Sequence, residues 1–548
     1  MRIILYYPPL FIGSAMTPYP SLPLLAAYIK KKRNYPVIMK DINVDLINKM
    51  IELSKKNGVL FKMPFFQRLE MILSKIFLRD SQIMPLEKAE FLTLNGLKLI
   101  SDNLSIDFRG YSILKTGNSG QRRPNELFDF WNLEYRQLRD VLHTQNENPL
   151  LSILEKNYFD DALGEKTLIG ISVPFISQIT MALIAAKHIK KLNSRAFIAI
   201  GGPAIRLISK NFEKIPELFD IIDCFVETEG EDILVELADS ICYEKDWKKI
   251  SGLIYFDRQH KKVIKNPPRH FSIDTNVPPD ISLLKNHRYL RPDIFFMRTS
   301  IGCYHNKCAF CTIPWPGYQE RSVGNIINDI AYLQKTGNIK KICFSDEVVP
   351  PQRLVEIADA LLKNKITVRI DARSRFDTGC FSKEACAKLA RAGIIELNIG
   401  LESASQRINN LMNKGITIDN AKTMIRNIRN SGISCYLNGM IGFPGETEDE
   451  VRQTVRFLRA HRFSFYAYLS IFSLNCGSFV YRYPERYGIT KIYPTENFIY
   501  KESYDFDMAR KIPLERLLNL RKMYKMTGWN KLLWKVTLHC IRLKFLLR

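Results

Sequence analysis

The sequence predicts an α/β protein built on two parallel sheets. The first sheet belongs to an N-terminal doubly wound, Rossmann-like domain, and the second to a partial (β/α)6 barrel of the TIM type, followed by a helical C-terminal segment. Short β-branched runs alternate with helix-like stretches from the start of the chain, the alternation restarts near residue 292, and the predicted strands end in small or polar residues. Buried parallel strands show these patterns. A chain of 548 residues is long enough for two or three domains.

The first domain is expected to span residues 1–249. It opens with the βαβ pattern of RIILYYPP, LPLLAAYIKKK and VIMKDIN, which resumes in LIGISVPF, AFIAIGGP and DCFVETEGE. The ligand of an open α/β sheet lies outside the carboxyl ends of its strands. The residues expected to gather at that edge are Pro8, Pro9, Ser172, Gly201, Gly202, Gly230 and Glu231.

Three other regions complete the predicted domain organisation. An insertion over about residues 50–165 is expected to be mostly helical, because its apolar residues recur at helical spacing. Residues 250–291 are expected to form a connector with a hairpin-like start and a proline-rich end. The barrel is placed at residues 292–482, and a basic, mostly helical segment at residues 483–548.

The predicted barrel strands are DIFFMRTS, KKICFSDE, TVRIDARS, IELNIGLES, CYLNGMIGFPGE and FYAYLSIFSLN. The active site of such a barrel lies at the carboxyl ends of its strands, where polar clusters occur in this sequence. In strand order, these candidates are Cys303, Cys308 and Cys311, then Asp346 and Glu347, then Arg375, then Glu402 and Ser403, and finally Gly442 and Phe443. Together they offer partners for an ammonium group, a carboxylate, ribose hydroxyls and an adenine ring, which S-adenosylmethionine combines.

The cysteines Cys303, Cys308 and Cys311 have the spacing C-x4-C-x2-C. Three thiolates can hold a cubane iron–sulfur cluster and leave its fourth iron open. Ordinary electron-transfer clusters use four cysteines, and a structural zinc ion also has four ligands. The triplet therefore favours a cluster that binds a substrate, with a structural zinc site as the alternative.

Over about residues 292–480 the chain resembles the radical S-adenosylmethionine (radical SAM) superfamily. The segments PYPSLPLLAAYI, IGISVPFISQ, IGGP, VETEGE and SGLIYFDRQ resemble the cobalamin-binding domain that precedes this barrel in one subclass. The resemblance implies that Cys303, Cys308 and Cys311 ligate a [4Fe-4S] cluster that acts on S-adenosylmethionine.

The same resemblance implies two sets of binding residues. Those for S-adenosylmethionine are Phe310, Gly442 and Phe443 at the adenine, Asp346 and Glu347 at the ammonium group, and Arg375, Glu402 and Ser403 at the carboxylate and ribose. Those for cobalamin are Pro8, Pro9, Ser172, Val173, Pro174, Gln178, Gly201, Gly202, Gly230 and Glu231.

The sequence departs from the pattern of its relatives in two ways. The commonest cysteine spacing in the superfamily is C-x3-C-x2-C, so the first gap of this chain has one extra residue. The sequence D-x-H-x-x-G, which supplies a histidine to cobalt in other cobalamin proteins, is absent, and His260 does not fit it. We therefore expect a cobalamin without a protein histidine ligand.

The resemblance implies cleavage of S-adenosylmethionine to a 5′-deoxyadenosyl radical, followed by cobalamin-dependent methylation of an unactivated carbon. A non-methylating cyclisation, rearrangement or oxidation is the first alternative. A non-catalytic corrinoid- or cluster-binding protein is an alternative of another class. A small-molecule or peptide substrate is expected, and its identity cannot be read from the sequence.

Charge and cysteine content indicate the setting. The chain has 80 Lys and Arg against 56 Asp and Glu, a net charge of +24. This favours an acidic electron donor such as flavodoxin or ferredoxin. Eleven cysteines, no export signal and no long apolar run predict a cytoplasmic protein with reduced thiols.

The stretch from Arg510 to Arg548 is basic and amphipathic. It predicts a helix that caps the barrel, and peripheral attachment to an anionic membrane is the alternative. Nucleic acid ranks low as a partner, because no recognition module accompanies the charge.

Overall fold

We analysed a computed structural model of the chain. It describes residues 1–9, 17–56, 135–143, 151–275, 277–289, 291–312, 317–461, 469–493, 503–508 and 511–524. Most of the predicted helical insertion and the end of the basic C-terminal stretch lie outside these ranges. No helix among the described residues is long and apolar enough to span a membrane.

The first sheet has seven strands in the order β2-β1-β3-β4-β5-β6-β7. They are β1 (Arg2–Tyr7), β2 (Val37–Asp41), β3 (Thr167–Ser172), β4 (Phe197–Gly201), β5 (Cys224–Val226), β6 (Leu253–Asp257) and β7 (Lys262–Lys265). The first five are parallel, whereas β6 and β7 are antiparallel additions. The order of the parallel strands reverses between β1 and β3, which is the point where doubly wound sheets bind ligands.

Helices cover both faces of this sheet. They are α1 (Ser21–Lys32), α2 (Ile42–Lys56), α3 (Tyr135–His143), α4 (Ile179–Leu192), α5 (Pro203–Ile208) and α6 (Glu231–Cys242), with the short α7 (Ser282–Asn286) in the connector. Every residue of β3 is buried, as is β1 from Ile3 onward. The apolar runs in the sequence thus reflect a sheet whose two faces are both in the core.

The barrel region begins with β8 (Ile294–Met297), β9 (Ser300–Ile301), β10 (Gln319–Glu320), β11 (Lys341–Phe344), β12 (Arg369–Ser374), β13 (Ile394–Glu402), β14 (Ser434–Ile441) and β15 (Leu469–Ile471). Six of these form a parallel sheet in the order β15-β14-β13-β12-β11-β8, while β9 and β10 form a small antiparallel ladder. This is the predicted α/β class with a partial TIM-type barrel, and the prediction is confirmed.

The helices of the barrel are α8 (Val323–Gly337), α9 (Pro351–Lys363), α10 (Lys383–Arg391), α11 (Gln406–Leu411), α12 (Ile418–Asn430) and α13 (Glu448–Ala460). Local sequence fixes where several of them begin. At α13, for example, the Thr447 hydroxyl accepts a hydrogen bond from the Glu450 amide, and the Glu450 side chain accepts one from the Thr447 amide. This capping box satisfies two amide groups that the helix itself leaves unpaired.

The barrel sheet is buried on one face only. In β12, Ile370, Ala372 and Ser374 are buried against the helices, while Arg369, Asp371 and Arg373 alternate with them on the concave face and are partly or fully exposed. Side chains alternate between the two faces of a strand, so the exposed set lines the interior of the barrel.

The structure departs from the predicted organisation at two places. The hairpin β6–β7, assigned to the connector, pairs with β5 and so extends the first sheet beyond residue 249. The segment after residue 483, expected to be mostly helical, contains β17 (Ile489–Tyr493) and β18 (Ser503–Met508). These strands form a three-stranded sheet with β16 (Leu474–Asn475). The helices α14 (Phe479–Arg482) and α15 (Leu514–Tyr524) complete the described part.

The connector between β7 and β8 is fastened to both domains. The hydroxyl of Tyr289 donates a 2.8 Å hydrogen bond to Asp41 at the end of β2. On the barrel side, the Asp274 carboxylate accepts a 2.8 Å hydrogen bond from the amide of Ser322, just before α8. Each domain therefore holds one part of the connector in place.

Candidate active site between the two sheets

The predicted barrel residues lie at one edge of its sheet. All six strands are parallel, so the loops after their carboxyl ends share one mouth. The cysteine loop follows β8 and β9, and Asp346 follows β11. Arg375 comes directly after β12, and Gly442 directly after β14. The structure thus brings together residues that are far apart in sequence.

The cysteine loop is attached to the mouth by its backbone. The amide of Ala309, between the second and third cysteines, donates a 2.8 Å hydrogen bond to the carbonyl of Met412. The carbonyl of Ala309 accepts a 3.0 Å bond from the amide of Val480. Cys303, Cys308 and Cys311 remain partly accessible, so their thiols are within reach of the mouth.

The longer first gap of the cysteine motif is held at two points. Tyr304 donates a hydrogen bond to Asp377, and the His305 ring lies 3.0 Å from the carbonyl oxygen of Asn413. Asn306 has a left-handed backbone, with φ of 41°, which asparagine tolerates better than most residues. The extra residue is therefore accommodated by a turn with defined contacts.

Two cations lie beside Cys308. The guanidinium of Arg375 is 3.8 Å from the Cys308 sulfur, and its other nitrogens contact Asp377 and the carbonyl of Lys414. Burial raises the pKa of the Cys308 thiol, while the positive charges of Lys414 and Arg375 oppose that shift. These cations would stabilise a thiolate, which is the form that binds iron.

Lys414 is buried together with Glu402, and their charged atoms are 2.9 Å apart. Burial alone would lower the pKa of Lys414, but Glu402 and Cys308 together outweigh burial and the pKa is raised. Glu402 has a left-handed backbone with φ of 64° at a bulge between β13 and β14. A strained backbone of this kind is often found at functional sites.

The arrangement of the three thiols fits an iron–sulfur cluster. Within the described ranges, no three Cys, His, Asp or Glu side chains converge closely enough to hold one metal ion. Cys303, Cys308 and Cys311 lie on one loop at the mouth and are partly accessible, as a cluster with one thiolate on each of three irons requires. The adjacent cations also suit the negative charge of thiolate ligands.

Asp346 and Glu347 have different surroundings. The Asp346 carboxylate accepts hydrogen bonds from the Thr299 amide at 3.0 Å and from the Ser300 hydroxyl at 2.6 Å, so it ties β11 to the start of the cysteine loop. Glu347 lines the cavity between the domains. Burial raises its pKa, and Arg373 acts in the opposite direction. Of the two, Glu347 has the carboxylate that is open to a ligand.

Ser403 faces the protein interior. It is fully buried, and its hydroxyl lies 3.1 Å from that of Thr454 on α13. Its contacts therefore support the loop after β13 rather than the mouth.

The turn after β14 forms an apolar wall near the cysteine loop. Gly442 has φ of 78°, and a Cβ there would approach Leu517 to 2.6 Å. Phe443 is buried in a cluster that includes Ala309, and the partly buried Phe310 packs against the same cluster. The carboxylate of Glu446 accepts hydrogen bonds from the amides of Gly442 and Phe443. These contacts place the predicted adenine residues around one surface.

A cavity lies where the carboxyl ends of the two sheets meet. Its open space, mouth included, is about 1400 Å³. From the first domain it is lined by residues that include Tyr19, Ser21, Ser172, Gly201, Gly202, Gly230 and Glu231. From the barrel it is lined by Arg298, Ser300, Ser345, Asp346 and Glu347, among others.

We call the part of the cavity lining that belongs to the first domain the cofactor wall. The remaining residues predicted for cobalamin lie behind it. Val173 and Pro174 are buried next to Ser172, and Pro8 and Pro9 are buried after β1. Gln178 is also buried, and its side-chain amide donates a 2.6 Å hydrogen bond to the Pro8 carbonyl. These five residues brace the strand ends that carry the wall.

The shape of the wall fits a large planar cofactor. Gly201 and Gly202 leave the end of β4 free of side chains, and a Cβ on Gly202 would lie 2.7 Å from the Val173 carbonyl oxygen. Among the described residues that line the cavity there is no His, Met or Cys. The end of β4 in the cofactor wall therefore has no side chain over it, and the described lining has no His, Met or Cys.

Sequence reasoning missed several residues of the mouth. Asp377 accepts a hydrogen bond from Tyr304 of the cysteine loop, and the Lys414 carbonyl accepts one from Arg375. Arg298 and Tyr19 line the cavity. Asp377 lies only two residues after Arg375, which is a usable signal. Lys414 lies in the loop after α11 and has no motif around it, so only the folded chain brings it to the site.

Comparisons with known proteins agree with this geometry. Residues 297–458 match the radical SAM superfamily. An uncharacterized methyltransferase, PH0819, from Pyrococcus horikoshii is 28% identical over 305 residues, which is 53% of this chain and 64% of the relative. The anaerobic magnesium-protoporphyrin IX monomethyl ester cyclase from Rubrivivax gelatinosus is 22% identical over 250 residues, 43% of this chain and 45% of the relative. The chain thus spans less than two thirds of either relative.

Two solved structures have a similar fold. The cobalamin-dependent S-adenosylmethionine radical enzyme OxsB, with aqua-cobalamin and S-adenosylmethionine bound, has a TM-score of 0.52 and 17% identity, covering 88% of this chain and 55% of OxsB. The radical S-adenosylmethionine methyltransferase TsrM from Kitasatospora setae, with cobalamin and a [4Fe-4S] cluster bound, has a TM-score of 0.54 and 15% identity. The match covers 92% of this chain and 82% of TsrM.

A radical SAM domain implies a [4Fe-4S] cluster and S-adenosylmethionine, and its enzymes need a reductant and a substrate. In this chain that domain follows a doubly wound sheet with which it shares a cavity. Residues 297–458 therefore form a domain of the radical SAM superfamily, and the two-domain fold of the chain is similar to the folds of OxsB and TsrM.

Proposed function

We propose that this protein is a cobalamin-dependent radical SAM methyltransferase that acts on an unactivated carbon. The observation that carries the proposal is the shared cavity, lined on one side by the glycine-rich end of the first sheet and on the other by the mouth of the barrel. Methylation of a carbon from which a second cofactor has removed hydrogen requires that both cofactors face one substrate, and this cavity would provide such a place.

Cys303, Cys308 and Cys311 are the proposed cluster ligands, with Arg375 and Lys414 stabilising the thiolate of Cys308. Phe310, Gly442 and Phe443 are proposed to contact the adenine of S-adenosylmethionine. Glu347, Arg375 and Glu402 are proposed for its polar groups, because they carry the charged side chains of the mouth. Asp346 and Ser403 are better assigned to positioning these loops, since their polar atoms are already bonded within the protein.

When bound, the cluster and S-adenosylmethionine supply a 5′-deoxyadenosyl radical, and methylcobalamin supplies the methyl group. The chain itself orients the reactants and excludes water. The apolar cluster around Phe443 shields the cysteine loop, and the backbone bonds of Ala309 fix that loop against the mouth. Fixing the reactants in this way lowers the entropic cost of bringing them together.

On the opposite wall we propose that cobalamin lies over the ends of β3 and β4. Ser172, Gly201, Gly202, Gly230 and Glu231 would contact it directly. Pro8, Pro9, Val173, Pro174 and Gln178 would support that wall from behind.

A non-methylating radical reaction is the second candidate. It is favoured by the relative from Rubrivivax gelatinosus, which is named a cyclase. The two reactions are distinguished by the fate of a labelled methyl group. Transfer of the label from S-adenosylmethionine to a product supports methylation, whereas a changed product without the label supports cyclisation, rearrangement or oxidation.

The proposal is tested with full-length protein reconstituted anaerobically with iron, sulfide and cobalamin. Under a strong reductant, the wild type should convert S-adenosylmethionine to 5′-deoxyadenosine, and Cys308→Ala should lose both the cluster absorbance and this turnover. Cys380→Ala is the matched control, since Cys380 lies between β12 and α10, outside the motif. Turnover that persists in Cys308→Ala without the cluster would falsify the assignment.

The electron donor is proposed to be an acidic flavodoxin- or ferredoxin-like protein, given the net charge of +24. Its reduction of the cluster should become slower as the salt concentration rises, because salt screens the attraction between opposite charges. The alternative membrane contact of the C-terminal stretch stays a prediction, since residues 525–548 lie outside the described ranges.

A further inference from the structure

The interior of the barrel is polar along several neighbouring strands. On the concave face, Cys343 of β11 pairs in register with Asp371 of β12, which pairs with Glu396 of β13. One layer closer to the mouth, Arg373 of β12 pairs with Asn398 of β13. All five side chains are partly or fully exposed, so solvent reaches the interior at both layers.

This interior differs from that of a closed TIM barrel. Closed barrels are filled by layers of bulky apolar side chains and have no space for a ligand. A polar and accessible interior has an unfavourable energy unless its groups are paired, solvated or bound to a ligand. The pairing within each layer therefore indicates which groups are left for a ligand.

In the deeper layer, which contains Cys343, Asp371 and Glu396, the charge of Asp371 is neutralised by a neighbouring lysine. Lys341 forms an ion pair with Asp371, and the Cys343 thiol donates to Asp371 at 3.6 Å. Burial alone would lower the pKa of Lys341, but Asp371 overrides that effect and the pKa is raised. Lys341 therefore remains charged and paired with Asp371.

The layer nearer the mouth has an excess of positive charge. Arg373 is exposed on the concave face and has no ion pair or side-chain hydrogen bond within the described part of the chain. Next to it in register is Asn398, whose side-chain oxygen accepts a 2.6 Å hydrogen bond from the amide of Asn438. The neighbour of Arg373 in register is thus an uncharged hydrogen-bonding group, and Glu347 is a carboxylate on which its charge acts without an ion pair between them.

Arg373 is near the mouth end of β12, two residues before Arg375, whose guanidinium lies 3.8 Å from the Cys308 sulfur. The positive charge of Arg373 acts on Glu347, which lines the shared cavity, and on Tyr19, which belongs to the first domain. A molecule that enters the barrel interior from the mouth would therefore be close to Arg373.

We infer that the barrel interior takes a substrate carrying an oxyanion, a carboxylate or a phosphate, and that Arg373 binds this group. A guanidinium can donate two parallel hydrogen bonds to either oxyanion, and it does so best when no protein carboxylate competes. The Asn398 and Asn438 amides offer further hydrogen bonds beside it. This inference rests on the proposed function, because it defines the substrate class of the same site.

The inference can be tested before the substrate is known, by modification of arginine with phenylglyoxal. The reconstituted full-length protein is treated with phenylglyoxal alone, then with benzoate, inorganic phosphate or S-adenosylmethionine added separately. Mass spectrometry of peptides gives the rate at each arginine. Arg391, exposed at the end of α10, is the internal control.

We expect benzoate or phosphate to slow the modification of Arg373 at least about fivefold and to leave Arg391 unchanged. Protection by benzoate alone would identify a carboxylate substrate, and protection by phosphate alone a phosphorylated one. Protection by S-adenosylmethionine alone would make Arg373 a ligand of that molecule and overturn the inference, as would a lack of protection by all three.

Cleavage of S-adenosylmethionine is measured on the same preparation. A preparation that cleaves it but shows no protection by either anion keeps the proposed function and loses the inference. A preparation that shows protection but no cleavage loses the proposed function and keeps the oxyanion site. The two failures are thus separable.

Discussion

The two parallel sheets of this protein differ in what covers their faces. In the first sheet, β3 is buried throughout and β1 from Ile3 onward, with helices on both sides. In the barrel sheet, the outer face is buried against helices while the inner face carries charged and polar side chains that solvent reaches. The first sheet therefore offers a ligand only its edge, whereas the barrel offers both its edge and its interior.

The comparison teaches that one βα pattern can serve two kinds of site. A sheet covered on both faces provides a rigid edge, which suits the binding of a large preformed cofactor. A sheet with one open face provides a chamber, which suits a substrate that must be surrounded. In this chain the two kinds of site face each other across a single cavity.

The largest effect on stability is expected from Lys414→Met. This variant tests whether charged side chains in the barrel are held by pairing. Lys414 and Glu402 are only 8% and 14% exposed, so the change leaves a carboxylate buried without its partner. Removing one member of a buried pair costs about 3–5 kcal/mol. A lower denaturation midpoint in urea would show this cost.

Two controls accompany Lys414→Met. Lys422→Met breaks an exposed pair with Asp419 on α12 and should leave the midpoint nearly unchanged. The double variant Lys414→Met with Glu402→Gln should recover part of the loss, because no buried charge is left unpaired. A midpoint for Lys414→Met equal to that of Lys422→Met would contradict the buried pair.

The next effect concerns the edge of the first sheet. Gly202→Ala places a Cβ at 2.7 Å from the Val173 carbonyl oxygen at a φ of 115°, so the backbone must shift. We expect a loss of about 1–3 kcal/mol, together with weaker cobalamin binding measured by absorbance after gel filtration. Cleavage of S-adenosylmethionine should be retained, because the barrel is not altered.

Gly324→Ala is the matched control for Gly202→Ala. Gly324 is exposed in α8, outside the cavity lining, and a Cβ there would meet nothing within 4 Å. This variant should be as stable as the wild type. If both variants bind cobalamin equally well, the end of β4 does not contact the cofactor.

A third effect is a pH dependence located in the barrel. Burial raises the pKa of Glu446 to about 8, although the amides of Gly442 and Phe443 oppose the shift. A carboxyl group with a raised pKa binds its proton more tightly in the folded state, so stability falls as the pH rises from about 5 to 8. The contribution is about 3 kcal/mol over this interval.

Glu446→Gln should remove this slope and should be more stable than the wild type at pH 8. Urea denaturation between pH 5 and 8 measures it. Glu450→Gln is the control, since the pKa of Glu450 is about 2: its burial is outweighed by hydrogen bonds from Arg407 and Thr447. Glu450 is already ionised over the whole interval, so the slope should persist, reduced only by the loss of the small effect that the Glu450 charge has on the pKa of Glu446.

The smallest effect is expected from Lys30→Gln, at an exposed contact of the first domain. Lys30 on α1 lies 2.6 Å from Asp280 in the connector, and its side chain is 44% exposed. Exposed ion pairs are screened by solvent and contribute below about 1 kcal/mol. The urea midpoint should equal that of Lys285→Gln, an exposed connector lysine, and a clear difference would mean that this contact holds the connector.

Much of this arrangement was predictable from residues near one another in sequence. The apolar runs and their small or polar ends located the parallel strands, and parallel strands place their ends at one edge. The positions of Cys308, Arg375 and Gly442 around the mouth followed from this reasoning. The spacing of the cysteines and the family resemblance supplied the chemistry.

What was missed depends on contacts between distant segments. Lys414 becomes part of the mouth only because the loop after α11 folds beside Glu402, and no local pattern marks it. Ser403 carries a hydroxyl that suits a ribose, but packing against Thr454 turns it inward. The sequence predicts the hairpin β6–β7 only as the hairpin-like start of the connector, and its pairing with strand β5 was not predicted.

The connector between the two domains helps to fix the distance between them. Tyr289 fixes one part of it to the first domain and Asp274 fixes another to the barrel. Its length, together with the direct 3.9 Å contact between Arg298 and Glu231, therefore sets the gap between the glycine-rich end of β4 and the cysteine loop. Insertions or deletions within this stretch would change the distance that a transferred group must travel, even with every residue of both walls intact.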